Sequence, residues 1–248
     1  MYIYDFPLSP KARTYLKFEG IFKRVEACQF LNSNAETMSL LRGVVDYMDL
    51  IDGAGGFKIE IVKDLEKLDQ HLKLWQADPD ADQDFVEQLR TSISTSFRSL
   101  DKFTRQRTVL QNDPIIECIK PRFMTPCGAN CFDTPLFTFW NELPREEKMQ
   151  SVHKWLHELE TVRTPVATIL YLWRLCADFK PRVAKKGFMK ETAENCDLIE
   201  ITYPKTVRGY PVVSGFQSSL NVRFMTYEKG AEIGDIEFEL AYLGNAVL

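Results

Sequence analysis

Apolar residues recur every three or four positions over the first two thirds of the chain, then alternate with polar ones over the last quarter. Tyr15, Phe18, Phe22 and Val25 mark one helix, opened by Ser9 as N-cap and by Pro10 at the first helical position. A second helix starts at Asn34, with Met38, Leu41, Val45 and Met48 as its stripe. The run Asp52-Gly-Ala-Gly-Gly56 breaks it. A third begins at about Phe57. Its stripe of Ile61, Leu65, Leu68, Leu72 and Trp75 is narrow and lies among charges such as Lys63, Asp64, Glu66 and Lys67. A stripe of this kind suits helix–helix packing, either as core within the chain or as a contact between two copies. Asp78-Pro79-Asp80 predicts a turn, and a fourth helix follows with Phe85, Leu89, Ile93, Phe97 and Leu100 inward.

Residues 112–138 carry Pro114, Pro121, Pro126, Gly128 and Pro135, which predicts short elements and loops. Pro144 opens a further helix with Val152, Trp155 and Leu159 inward, and another covers about 162–178. Beyond Pro181 the period becomes two. Ile199-Ile201-Tyr203, Leu220-Val222-Phe224 and Ile236-Phe238-Leu240-Tyr242 each predict a half-buried strand. Helices first and strands last give an α+β fold, a helical domain plus an antiparallel β-strand domain. The helical domain is expected over 9–180, with a loop and short-strand excursion at about 115–135. The β-strand domain is expected over 181–248, joined by a strand within 1–8 and by part of 115–135.

With 248 residues, 45% hydrophobic and 27% charged, the chain can build a sizeable core without disulfides or metal. The formal charge of −4, from 31 basic and 35 acidic side chains, argues against a globally basic nucleic-acid binder. Residues 1–7 lack the basic start of a signal peptide, and the apolar run from Pro165 to Cys176 is too short to span a bilayer. A cytoplasmic chain with six reduced cysteines is therefore expected.

Few residues suggest chemistry. Gly53, Gly55 and Gly56 lack the preceding strand and the Gly-Lys-Ser/Thr of a phosphate loop, so they predict a turn between helices. His153 and His157 share a helical face but lack the zincin glutamate, and His71 lies elsewhere. Ser214-Gly215 is not a nucleophile elbow. Glu146-Glu147 and Glu158/Glu160 are expected on exposed helix faces. Cys127 and Cys131 form one loose pair without a second, and theirs is not the redox spacing, so a turn is expected there. No catalytic residue, metal or cofactor is assigned. A cysteine-dependent enzyme is one alternative. A nucleic-acid module built on the basic run 180–190 is another. Arg223 is set apart by alternation: it faces away from Leu220, Val222 and Phe224, with Asn221, Met225 and Tyr227. A cation between Met and Tyr suits a peptide with acidic and apolar groups.

Phe132-Asp133-Thr134-Pro135-Leu136, followed by Trp140 and Leu143-Pro144, resembles the corresponding run of the ZapD family of FtsZ-associated division proteins. Phe6-Pro7-Leu8, Leu41-Arg42, Glu60 to Leu65, Val222-Arg223-Phe224-Met225 and Asp235 to Ala241 are similar in the same order, over essentially the full length. The resemblance implies a noncatalytic homodimer that binds the C-terminal tail of FtsZ and cross-links its protofilaments at the midcell division site. It implies no nucleic acid, no membrane insertion and no cofactor. It places tail-binding roles on Arg223, Arg42 and Lys63. Ser219 and the Gly53–Gly56 stretch stand where the family pattern has further basic residues. Lys58, Arg208 or the Lys185-Lys186 loop are the candidate substitutes.

Overall fold

The computed structural model describes residues 1–192, 196–216, 219–228, 230–231 and 233–244, with side chains described at all of these except 104–108 and 216. The chain divides into two compact units, one of residues 14–169 and one of residues 1–13 with 170–248.

The first unit is helical. Helices α1 (Pro10–Cys28), α2 (Asn34–Gly53), α3 (Phe57–Gln76), α4 (Gln83–Gln111), α5 (Pro114–Ile119), α6 (Pro135–Asn141) and α7 (Arg145–Leu175) contribute to it, α1 and α7 continuing past its limits. Local chemistry starts several of them. The Ser9 hydroxyl accepts from Ala12 N–H at 3.2 Å, and the Ser33 hydroxyl accepts from Glu36 N–H at 3.2 Å. Gly56, at φ 79°, lets the chain turn from α2 into α3. Gly43 serves packing instead, because a Cβ there would lie 2.5 Å from Val25 Cγ2 where α2 passes α1.

Two buried carboxylates tie helices together. Tyr15 Oη donates to Asp64 Oδ2 at 2.9 Å, linking α1 to α3. Asp113 caps α5 through Ile115 and Ile116 N–H, while its other oxygen accepts from Trp155 Nε1 of α7 at 2.8 Å. Buried polar groups paired in this way cost little and hold one register.

Several helical expectations need correction. The inward residues of α4 are Val86, Leu89, Ile93, Ser96, Leu100 and Leu110; Phe97 is half-buried and Phe85 is exposed. Ser96 fits the core because its hydroxyl bonds to Ser92 O and Thr168 Oγ1. Leu65, Leu68 and Leu72 of α3 are intramolecular core, while Trp75 at the helix end is partly exposed. The two helices expected over 144–178 are the single helix α7, which continues through Pro165. A proline here removes one N–H, and the buried Val162, Val166, Ile169 and Trp173 hold the helix on both sides of it. Residues 115–135 add no strand. They form α5, a 3-10 turn over Lys120–Met124 and a tight loop, all within the helical unit. Asn130 organises that loop, donating to Cys127 O and accepting from Asp133 N–H. Cys127 and Cys131 are exposed free thiols on it.

The second unit holds two antiparallel sheets. Strands β1 (Tyr2–Pro7), β4 (Leu198–Tyr203), β7 (Ile236–Leu243) and β2 (Lys180–Ala184) form one in that order, and β3 (Phe188–Thr192), β6 (Ser219–Thr226) and β5 (Gly209–Phe216) form the other. The amino-terminal strand β1 pairs with β4, from Tyr2 opposite Tyr203 to Pro7 opposite Leu198. Pro7, Pro181 and Pro211 all lie on edge strands, where a missing N–H costs no ladder bond. Leu220, Val222 and Phe224 of β6 pack into one core with Ile199, Ile201, Tyr203, Phe238 and Leu240. Phe224 meets Tyr203 edge-on at 5.2 Å and Phe238 at 5.4 Å.

Glu158 departs from its expected exposed face, being only 7% exposed. Its Oε2 accepts no hydrogen bond among the described residues, and burial raises its pKa above the ordinary carboxylate range. The protonated acid is then the form the fold favours. This contribution is complete below the unfolded-state pKa and is lost as pH rises through the folded one. Glu158→Gln is expected to match the native chain in thermal melts below pH 4. At pH 7 it should be the more stable of the two.

Burial pushes the Cys196 thiol up to about 11 and raises that of Cys176, whereas Cys127 and Cys131 sit on an open loop. The double variant Cys127→Ser, Cys131→Ser is expected to melt with the native chain to within about 0.5 kcal/mol. Elemental analysis of the native protein should find no stoichiometric zinc. Zinc lost in the variant would make the loop a metal site.

Candidate basic face of the second sheet

The alternation of β6 places its side chains on two faces. Because Val222 and Phe224 enter the core, Arg223 and Met225 must point outward. The neighbouring strands complete the outward face by register. Phe188 and Val212 lie opposite Arg223, Tyr210 lies opposite Met225, and Lys190 and Ser214 lie opposite Asn221. Phe188, Tyr210, Val212 and Met225 are 40%, 43%, 47% and 41% exposed, so the cation stands inside an apolar frame. The Arg223 guanidinium lies 5.4 Å from the centre of the Phe188 ring, which holds the side chain in place without neutralising it.

The β2–β3 turn supplies further charge. Lys186 at φ 47° and Gly187 at φ 72° make the two-residue hairpin that a right-handed strand twist favours. A Cβ at 187 would lie 2.3 Å from Ile233 Cγ2, so glycine is needed there for space as well as for angle. Asp235 anchors this turn, with Oδ1 accepting from Lys186 N–H at 2.9 Å and Oδ2 bound to Lys185 Nζ at 2.7 Å. The hydrogen bond from Lys185 lowers the Asp235 pKa and raises that of Lys185. Arg223, Lys185 and Lys186 then line one hollow of about 500 Å³, with Phe188 and Met225 as apolar walls.

The other sequence candidates distribute as follows. Arg208 is exposed on the β4–β5 connection and lines a neighbouring hollow of about 930 Å³. Arg42, Lys58 and Lys63 belong to the helical unit. Arg42 is committed to structure, because its Nε binds Asp46 Oδ1 at 2.7 Å and its guanidinium packs 5.4 Å from the Phe123 ring centre. The same Asp46 holds Arg24 of α1 at 2.7 Å. Lys58 stands in the first turn of α3, and Lys63 is exposed one turn further on. Lys120 and Arg122 pair with Asp49 at 2.8 Å and with Asp133 at 3.9 Å, respectively. The basic run 180–190 is a hairpin, and its Arg182 binds Glu191 at 2.7 Å.

Strand β5 and the apolar residues it brings beside Arg223 escape a reading by period. Tyr210 and Val212 alternate correctly, but Pro211 between them argues against an interior strand, and only the sheet order shows that β5 is an edge. The Lys186-Gly187 pair was the available signal for the β2–β3 hairpin.

No group of three or more potential metal ligands occurs among the described residues. His153 and His157 are both exposed on α7. No helix among the described residues is long and apolar enough to cross a membrane.

Comparison with known proteins gives this fold a family. The family model described as ZapD, cell division protein, matches residues 16–223. The cell division protein ZapD of Photorhabdus laumondii is 30% identical over 241 residues, covering 96% of each chain. That of Aliivibrio fischeri is 31% identical over 239 residues, again covering 96% of each. That of Vibrio atlanticus is 28% identical over 239 residues, covering 96% of this chain and 97% of the relative. Matched along nearly its whole length, the chain belongs to the ZapD family of cell division proteins.

Proposed function

We propose that this chain binds the C-terminal tail of FtsZ on the Arg223 face and cross-links FtsZ protofilaments, promoting Z-ring assembly without catalysis. The supporting observation is the outward-facing Arg223, framed by Phe188, Val212 and Met225 and joined by Lys185 and Lys186 in one hollow. Such a surface recognises an extended segment carrying a carboxylate beside apolar side chains. The guanidinium pairs with the carboxylate, and the frame excludes water around the pair. The family relatives are named as cell division proteins, which gives the reading its biological setting.

Bundling needs two sites per particle. In this proposal the protein acts as a cytoplasmic homodimer at the division site, and a two-fold axis presents two identical faces. Each face holds a tail from a different protofilament, and the many tails on a polymer turn a weak single contact into firm attachment. Charge on the helical unit plays a different part. Arg42 is engaged with Asp46, so its removal is a stability change before it is a binding change.

The test is co-sedimentation with polymerised FtsZ. Arg223→Glu is expected to stay folded, since the side chain is exposed, and to lose most of its co-pelleting. Undiminished co-pelleting by the folded variant would remove Arg223 from the site. Arg42→Ala should lower the melting temperature, with a cost of about 1 kcal/mol or less for a partly exposed pair, and should leave co-pelleting near the native level.

A further inference from the structure

A hollow of about 930 Å³ lies beside the Arg223 face. It opens where β1 of one sheet meets β5 and the end of β6 of the other, within the β-strand unit. Its walls are aromatic: Tyr2 and Tyr4 come from β1, Tyr210 from β5, and Tyr227 follows β6. This aromatic wall is built in advance. The Tyr4 ring stacks on buried Tyr203 at 5.8 Å and 13°, and Tyr203 Oη donates to Gly209 O at 3.0 Å, fixing the start of β5. Tyr210 and Tyr2 are each about two-fifths exposed, so part of each side of the hollow is open to a guest.

The charge of the hollow is asymmetric. Arg208 and Lys205 line it, with the acids Glu228 and Asp235. Asp235 is already bound to Lys185 Nζ and Lys186 N–H, which leaves two cations against one carboxylate. A volume near the upper end of the usual ligand-pocket range, with aromatic walls and a basic edge, suits a ring flanked by negative charge.

The hollow adjoins the Arg223 site. Thr226, Ala231 and Ile233 line both, and Tyr210 lies directly opposite Met225 across the β5–β6 pair. Tyr227 follows the end of β6, four residues beyond Arg223, which puts this wall of the hollow at most about 13 Å from Arg223 at a strand rise of about 3.3 Å per residue. A peptide lying extended along the sheet covers that span with three or four residues.

We infer that the tyrosine hollow is a second subsite for the same acidic peptide, taking an aromatic side chain three or four positions from the carboxylate that pairs with Arg223. This inference rests on the proposed tail binding. Edge-to-face contact with Tyr210 and Tyr4 supplies the apolar part of recognition, and Arg208 selects a negative neighbour. The two anchors together define both the direction and the spacing of the bound segment.

The experiment is fluorescence-anisotropy titration of the full chain with a labelled FtsZ C-terminal tail peptide and its single-alanine variants. Tyr210→Ala and Arg208→Glu are each expected to weaken binding about tenfold. Tyr210→Phe, which keeps the ring, should bind within about twofold of the native chain and shows that the fold tolerates change at this position. In double-mutant cycles, one aromatic peptide position should lose its effect in Tyr210→Ala, and one acidic position should lose its effect in Arg223→Glu. The two positions should lie three or four apart. Native affinity in both Tyr210→Ala and Arg208→Glu, with binding lost in Arg223→Glu, overturns the second subsite and leaves the tail-binding reading standing. A coupled pair at any other spacing overturns the proposed geometry. Absence of tail binding to the native chain overturns the tail-binding reading and the subsite with it.

Discussion

Burial of every second residue of β6 is the constraint from which the candidate site follows. Leu220, Val222 and Phe224 are fully or almost fully withdrawn from solvent, and Phe224 is wedged against Tyr203 and Phe238 of the facing sheet. A strand cannot bury those residues and also turn Arg223 inward, because successive side chains leave on opposite faces. A slip of one residue would put Arg223 in the core and Phe224 in water, exchanging a large apolar burial for an unpaired buried charge. The direction of the cation is therefore as firm as the core beneath it.

The same unit divides its charges between anchoring and display. Asp235 is used to hold the β2–β3 turn, and Glu191 to hold Arg182, so those carboxylates do not face Arg223. Arg223 is held by an aromatic ring, which fixes its position and leaves its charge available. Lys11 and Arg174 are instead committed internally, to Asp197 at 2.9 Å and Asp5 at 2.7 Å. A basic residue's value for recognition depends on this difference in partners, which a count of lysines and arginines does not carry.

The helical unit shows how polar groups enter a core without loss. Asp64, Asp113 and Ser96 are buried and each is bonded, and each bond joins elements distant in sequence. Glu158 is an exception, as is the Trp140 indole N–H. Glu158 is buried on the same helix as well-paired Trp155 and left with an unsatisfied oxygen among the described residues. Its neighbours His157 and Glu160 are exposed, whereas Glu158 lies on the face of Trp155 and Val162, buried one turn before and one turn after it. Side-chain burial around a long central helix is too broad for polarity alone to mark where the solvent begins.

Much of the architecture was legible in the chain. Periodicity of three and four, with Ser9, Pro10 and Gly56 at the helix limits, is local chemistry and marked the helices through α3. Alternation marked β4, β6 and β7 and turned Arg223 away from the core. The tertiary structure alone decided the rest. Val86 rather than Phe85 became the inward residue of α4, because the neighbouring helices set its rotation. Pro165 stayed inside α7, because buried neighbours on both sides compensate one lost hydrogen bond. Phe188, Tyr210 and Val212 came to surround Arg223 through strand pairing between segments far apart in sequence. Periodicity records which way a residue faces within its own element; which residues stand beside it depends on sheet order and register, and these arise only when distant elements pair.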